Sequence, residues 1–191
     1  MRRLSLVLLA ISCALAGCAV EGSPGPSTAV APLPASGTQP KLAPRVLAPR
    51  DARGVAACDL LTDAQKQAAG ADITTETPLT QGDATRCRWH TADINGSLLV
   101  TSGVDFPVGG LEGLYLVRST YSVFEPGELD GFPIVRAEPT DTGDEECTLY
   151  IGIADDQLIW ATAGFSFTDR SACVTARRMG SDMIANLPAL G

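Results

Sequence analysis

Six cysteines, one histidine and a scatter of charged side chains are the residues in this 191-residue chain whose types could carry chemistry. A Ser/His/Asp nucleophile site would have to use His90, the single histidine. Ser166 stands in Gly164-Phe165-Ser166-Phe167, which is not a G-x-S-x-G elbow. Cys58, Cys87, Cys147 and Cys173 contain no C-x-x-C pair, the spacing that dithiol redox centres and many zinc sites use. Asp141, Asp144, Glu145 and Glu146, with Asp155 and Asp156 across an expected hairpin, present hard oxygens suited to Ca²⁺. They lack the regular ligand spacing of an EF-hand, and a solvated acidic loop accounts for them. The expectation is therefore no catalytic residue, no metal, no cofactor and no enzymatic activity.

A different chemistry is open to Arg86, Arg88 and His90. They alternate with Cys87 and Trp89, so one strand would put the three basic side chains on one face and Cys87 and Trp89 on the other. Such a basic stripe could contact an anionic group or an acidic partner. The plainer account is that the arginines pair with nearby carboxylates and keep the sheet soluble.

The N-terminus carries a processing signal. Met1-Arg2-Arg3 is a positive start, and Leu4 to Ala16 is an apolar run too short to span a bilayer, which takes about 20 residues. Leu15-Ala16-Gly17-Cys18 then resembles the lipobox of bacterial lipoproteins. The resemblance implies a signal peptide over 1–17, diacylglycerol on the Cys18 sulfur, and a chain held by lipid at the extracytoplasmic face of the cell membrane. Two or more acyl chains give stable anchoring, at about 0.8 kcal/mol per buried CH₂. Cys13 would be discarded with the signal.

An exported chain with four remaining cysteines is expected to oxidise them into two disulfides, in one of three pairings. Residues 18–54 hold the candidate lipidated cysteine and a proline-rich stretch. Seven of the thirteen prolines lie between Glu21 and Arg53, without apolar periodicity. That reads as a disordered tether with partial polyproline-II character. Residues 55–191 read as one domain, with eight basic and twenty acidic side chains and a net charge of −12. So acidic a surface repels phosphate backbones, and nucleic acid is not an expected partner. The expected partners are the membrane, through Cys18, and an unidentified envelope protein or small ligand.

Within the domain, Thr62 and Gln65 have capping-box spacing for a short helix that Gly70 would stop. Strands are expected over 73–79, 86–91 and 97–104, with Asn95-Gly96 as a hairpin turn. A short helix follows at 111–119, then extended chain at 121–125, a turn at Pro126-Gly127, and a strand into Val135. Cys147, Leu149, Ile151 and Ile153 would share one strand face. A turn at Asp155-Asp156, a strand over 158–165 and a last helix capped by Thr168 or Asp169 complete the chain. That helix runs to about Asn186, with Cys173, Ala176, Gly180, Met183, Ile184 and Leu187 on one face. The fold class is α+β, an antiparallel sheet covered by helices as an α/β sandwich. Cys147 and Cys173 both point inward on their elements, and Cys87, inward beside Trp89, can reach the Cys58 helix. This favours Cys58–Cys87 and Cys147–Cys173, with the crossed pairings left open. Tyr115, Tyr121, Phe124, Phe132, Phe165 and Phe167 are assigned to the core.

Five features occur in order: Cys58-x-Leu60-Leu61-Thr62, Cys87-Arg88-Trp89, Gly131-Phe132-Pro133, Cys147, and a late helix with Cys173 ending in Asn186-Leu187-Pro188. Behind a lipobox and a proline-rich tether, they resemble the actinobacterial lipoproteins of domain-of-unknown-function family 3558. The element order is also similar to the Mog1/PsbP-like sandwich. The resemblance implies a cell-envelope lipoprotein with paired cysteines and carries over no catalytic residue. It leaves a non-enzymatic binding or interaction module as the leading function. The alternative is a lipid- or small-ligand-carrying lipoprotein with an apolar cavity.

Overall fold

Alternating side chains and tight turns build a single seven-stranded sheet, seen in a computed structural model that describes residues 41–81, 84–91, 96–103, 109–165 and 171–191. The strands are β1 (Thr77–Gln81), β2 (Ala84–His90), β3 (Gly96–Gly103), β4 (Val123–Leu129), β5 (Phe132–Glu138), β6 (Glu146–Ala154) and β7 (Gln157–Phe165). Their order is β1-β2-β3-β7-β6-β5-β4, and every neighbouring pair is antiparallel. The helices are α1 (Asp63–Ala69), α2 (Leu111–Leu116) and α3 (Ala172–Asn186).

Helix starts follow the local chemistry. Thr62 and Gln65 close the expected capping box on α1, and Gly70 ends it in the left-handed region at φ 98°. The cap of α3 is Ser171, whose side chain accepts from the Val174 amide. This corrects the expectation of Thr168 or Asp169, which both lie outside the described residues. The expected strand from residue 73 begins instead with a 3-10 turn over Ile73–Thr75, because the Asp72 carboxylate accepts from the Thr74 amide. The turn expected at Pro126-Gly127 is also corrected. Both residues lie inside β4, an edge strand, where a missing N–H costs no ladder bond. The hairpin turns at Asp130-Gly131, with φ of 52° and 82°. The Asn95-Gly96 turn cannot be placed, since Asn95 lies outside the described residues; β2 and β3 do pair antiparallel.

The main core lies on one face of the sheet. Trp89, Leu98, Leu149, Ile151 and Ile159 meet Met179, Met183 and Ile184 of α3, and Leu60 closes the β2 end. Each such side chain, fully buried, contributes about 1.5–3 kcal/mol. Gly180 lets α3 approach closely; a Cβ there would sit 2.7 Å from Ile151 Cδ1. Both disulfides belong to this face. Cys58 bonds Cys87 and Cys147 bonds Cys173, as the inward directions of these residues implied. Among the described residues the second face is covered only in part, although Trp160 on it is buried; the part away from α2 is called the uncovered face. There Leu111, Leu114 and Tyr115 of α2 pack on Val135 and Ala137 of β5.

Residues 41–53 differ from the sequence expectation of a tether running to residue 54. The compact unit begins at Gln39, not at 55. Arg50 donates its amide to Ile153 O at 2.7 Å, Leu190 donates to Pro49 O, and Ala52 donates to the buried Gln157 Oε1. Lys41 pairs with Asp155 at 3.2 Å and Arg53 with Asp156 at 2.6 Å. Val46 and Ala52 are buried. This strap ties the β6–β7 turn to the end of α3, and its basic side chains answer domain carboxylates.

Candidate functional site

Cross-strand register sets out the uncovered face row by row. Arg86 of β2 aligns through Thr101 with Trp160 and Tyr150; Arg88 aligns through Leu99 with Thr162 and Thr148; His90 aligns through Ser97 with Gly164 and Glu146. A period of two puts all three rows opposite the core, since Cys87, Trp89, Ile159, Ala161 and Ala163 fill the positions between. The alternation expected for residues 86–90 is therefore observed.

The rows form an open depression of about 360 Å³, bordered by Arg86 and Arg88 on one side and by Glu146 and Tyr150 on the other. Its floor is polar: Thr148 and Thr162 share a hydroxyl–hydroxyl hydrogen bond of 3.0 Å. The Arg86 guanidinium lies 5.5 Å from the Trp160 ring, which meets Tyr150 at 5.6 Å. That stacking holds a planar cation in a set orientation. Arg88 is exposed and makes no hydrogen bond or ion pair among the described residues. His90 is exposed at the end of the same strand face and does not line the depression. Trp160 and Tyr150 are the members that sequence reasoning passed over. The alternation of Trp160 with buried Ile159 and Ala161 was the available signal.

A second depression, of about 290 Å³, lies between β4, β5 and the start of α3. Its cations are engaged. Arg136 reaches Glu138 at 2.9 Å and Glu125 at 3.6 Å, and the Glu138 hydrogen bond holds the guanidinium above its ordinary range. Arg177 donates to Glu128 O. Both depressions are open to solvent with charged rims.

The strongest buried charge cluster is elsewhere, and sequence reasoning did not single it out. Lys66, whose side chain is only 7% exposed, lies 2.8 Å from Glu76 and 3.2 Å from Asp63. Its ammonium lies 5.3 Å from the centre of the Trp89 ring, and Trp89 Nε1 donates to the same Glu76. Burial acts to lower the Lys66 pKa, but the hydrogen bonds to Glu76 and Asp63 prevail and hold it above its ordinary value. The cluster fastens α1 to β2 beside the Cys58–Cys87 bridge.

The acidic residues considered for Ca²⁺ are not brought together. Asp155 and Asp156 follow the end of β6, while Asp141 to Glu145 precede its start and Glu146 begins it. A nine-residue strand separates them by roughly 30 Å. Two groups among the described residues have ligand-like proximity, Cys58/Glu76/Cys87 and Glu138/Cys147/Cys173. In both, the sulfurs are bonded to each other rather than available as thiolates. Of the aromatics assigned to the core, Tyr115 and Phe132 are buried and Tyr121 and Phe124 half-buried. The side chains of Phe165, Ser166 and Phe167 lie outside the described residues, as does Cys18.

Sequence comparison bears on the same domain. The family described as protein of unknown function (DUF3558) matches residues 13–186. The chain belongs to this family. The match covers the sheet, the three helices and all four paired cysteines, as the order of cysteine motifs implied. No match was found among curated proteins or among solved structures.

Proposed function

We propose that this DUF3558 chain is a cell-envelope lipoprotein and a non-enzymatic binding module. Its signal peptide ends at Gly17, Cys18 carries the lipid, and residues following Cys18 lead to the domain that begins at Gln39. The domain works outside the membrane and binds its partner through the uncovered sheet face. One observation carries this reading. In a domain dominated by carboxylates, exposed Arg88 stands unpaired among the described residues beside an open depression, next to a half-buried Arg86 that lies 5.5 Å from the Trp160 ring. The 290 and 360 Å³ depressions have charged rims and open mouths, which supports a binding surface over an apolar carrier cavity.

The test is made in cells. Wild type, Cys18→Ala and an Arg86→Gln/Arg88→Gln double variant are fractionated and crosslinked. Cys18→Ala should leave the membrane fraction or remain unprocessed. The double variant should stay on the membrane and lose its crosslinked partner. A Cys18→Ala protein that fractionates like wild type would remove the lipid anchor from the account. A double variant with unchanged crosslinks would remove the binding face.

A further inference from the structure

The uncovered face has two poles. Arg88 stands exposed on β2, and Glu146 stands exposed on β6 at the start of its strand. Among the described residues neither side chain has a hydrogen-bond or ion-pair partner; Glu146 offers only its backbone carbonyl, to Thr142 Oγ1. They do not answer each other, because β3 and β7 lie between them. Three inter-strand steps at about 4.8 Å, with an offset of two residues or about 7 Å along the strands because Glu146 stands in the row of His90, put the two positions roughly 16 Å apart. Between the poles lie the Thr148–Thr162 hydroxyl pair and Gly164, which adds no side chain to the floor.

An anion alone would satisfy Arg88 and be repelled by Glu146. An acidic protein would also meet the net charge of −9 over residues 39–191, twelve basic against twenty-one acidic side chains. A cation alone would meet the reverse problem at Arg88. A molecule carrying both signs, with hydrogen-bonding groups between them, meets every part of the surface favourably. From about 16 Å, a hydrogen bond of about 3 Å at each end leaves about 10 Å for the ligand. An extended peptide covers about 3.3 Å per residue, so that span is about three residues.

We infer that the uncovered face binds a short zwitterionic peptide, its free carboxylate at Arg88 and its free ammonium at Glu146, with its backbone amides over the threonine floor. This inference rests on the reading of the face as the binding surface, and it adds the ligand class and its direction across the strands.

The experiment is calorimetric titration of the full-length mature protein in detergent. The probes are trialanine with free ends, N-acetyl-trialanine, trialanine amide and hexaalanine. Free trialanine should bind, and blocking either end should weaken it by about ten-fold or more, the size of one lost charge-assisted hydrogen bond. Hexaalanine should bind more weakly than trialanine, because its ends overshoot the poles. Arg88→Gln should abolish the distinction between trialanine and its amide while preserving sensitivity to acetylation; Glu146→Gln should do the reverse. Near-ultraviolet circular dichroism confirms that each variant is folded. Absence of binding by trialanine to folded wild-type protein, or equal binding of free and blocked peptides, overturns the inference. If the peptides fail while the Arg86→Gln/Arg88→Gln variant still loses its cellular crosslink, the ligand class is wrong and the binding face stands.

Discussion

Gly110 is where a single methyl group should do the most damage. It precedes α2 with φ 64° and ψ −161°, a region that only glycine occupies without strain. A Cβ built there would lie 2.8 Å from Asp155 O and 3.1 Å from Asp155 C, both backbone atoms of the β6–β7 turn. Neither can rotate away as a side-chain end would. Strain contributes about 1–3 kcal/mol and forced overpacking a further 1–3 kcal/mol, so Gly110→Ala should cost about 2–6 kcal/mol. For a domain of this size that lowers Tm by roughly 10 °C. The same change should loosen the strap, because Glu112 on α2 accepts the Leu42 and Ala43 amides at 3.0 Å. Denaturant titration gives the stability, and hydrogen exchange at Leu42 and Ala43 reports the strap. Gly54→Ala is the control: φ is 77° and no heavy atom lies within 4 Å of its Cβ, so only backbone strain of about 1–2 kcal/mol applies. Equal losses for the two variants would refute the close-approach argument.

Three further outcomes are expected. Replacing Cys58 and Cys87 together by serine, which opens a loop of sequence separation 29, should cost about 3.5 kcal/mol by the chain-entropy argument; a midpoint unchanged in urea would contradict it. Lys66→Met should cost about 1–2 kcal/mol, less than a fully buried pair because Glu76 and Asp63 reach solvent. Since the folded Lys66 pKa is raised, its contribution is full below about pH 10.4 and lost as pH rises through the folded value, so wild type and variant should converge there in pH-dependent unfolding. Burial works against ionised Asp155, but the Lys41 and Val46 hydrogen bonds and the Arg45 charge hold its pKa below the ordinary value. Its contribution is present above about pH 3.9 and lost as pH falls through the folded value, so the stability gap to Asp155→Ala should close on acidification.

What was legible in the sequence was what local periodicity or turn chemistry determines. The alternation of Cys87 and Trp89 with Arg86, Arg88 and His90 is a property of five consecutive residues, and β2 reproduces it. The disulfide pairing followed from which cysteines faced inward. The strap was illegible because its partners are remote. Its proline-rich composition looks unstructured, and what orders it is a set of backbone amides and carbonyls meeting Ile153, Gln157 and Pro188, more than 100 residues away. Pro126-Gly127 misled for a related reason: a proline reads as a turn unless the strand is known to be at an edge. The Asp130-Gly131 turn was written in the sequence as an Asp-Gly pair and lost to its proline neighbour. At the candidate site, the arginines were visible as a stripe. Their setting was not, because Trp160, Tyr150 and Glu146 come from strands 60 or more residues later that only the β3–β7–β6 pairing brings alongside.

The central claim is that the uncovered sheet face, and not the helical face, meets the partner. Site-specific photocrosslinking in cells addresses it most directly, with the probe placed either at Thr162 on that face or at Val174, which is 68% exposed on α3. The account predicts a discrete adduct from position 162, lost when Arg88→Glu is added, and none from position 174. An adduct from position 174 alone, or one from position 162 indifferent to Arg88→Glu, would contradict it.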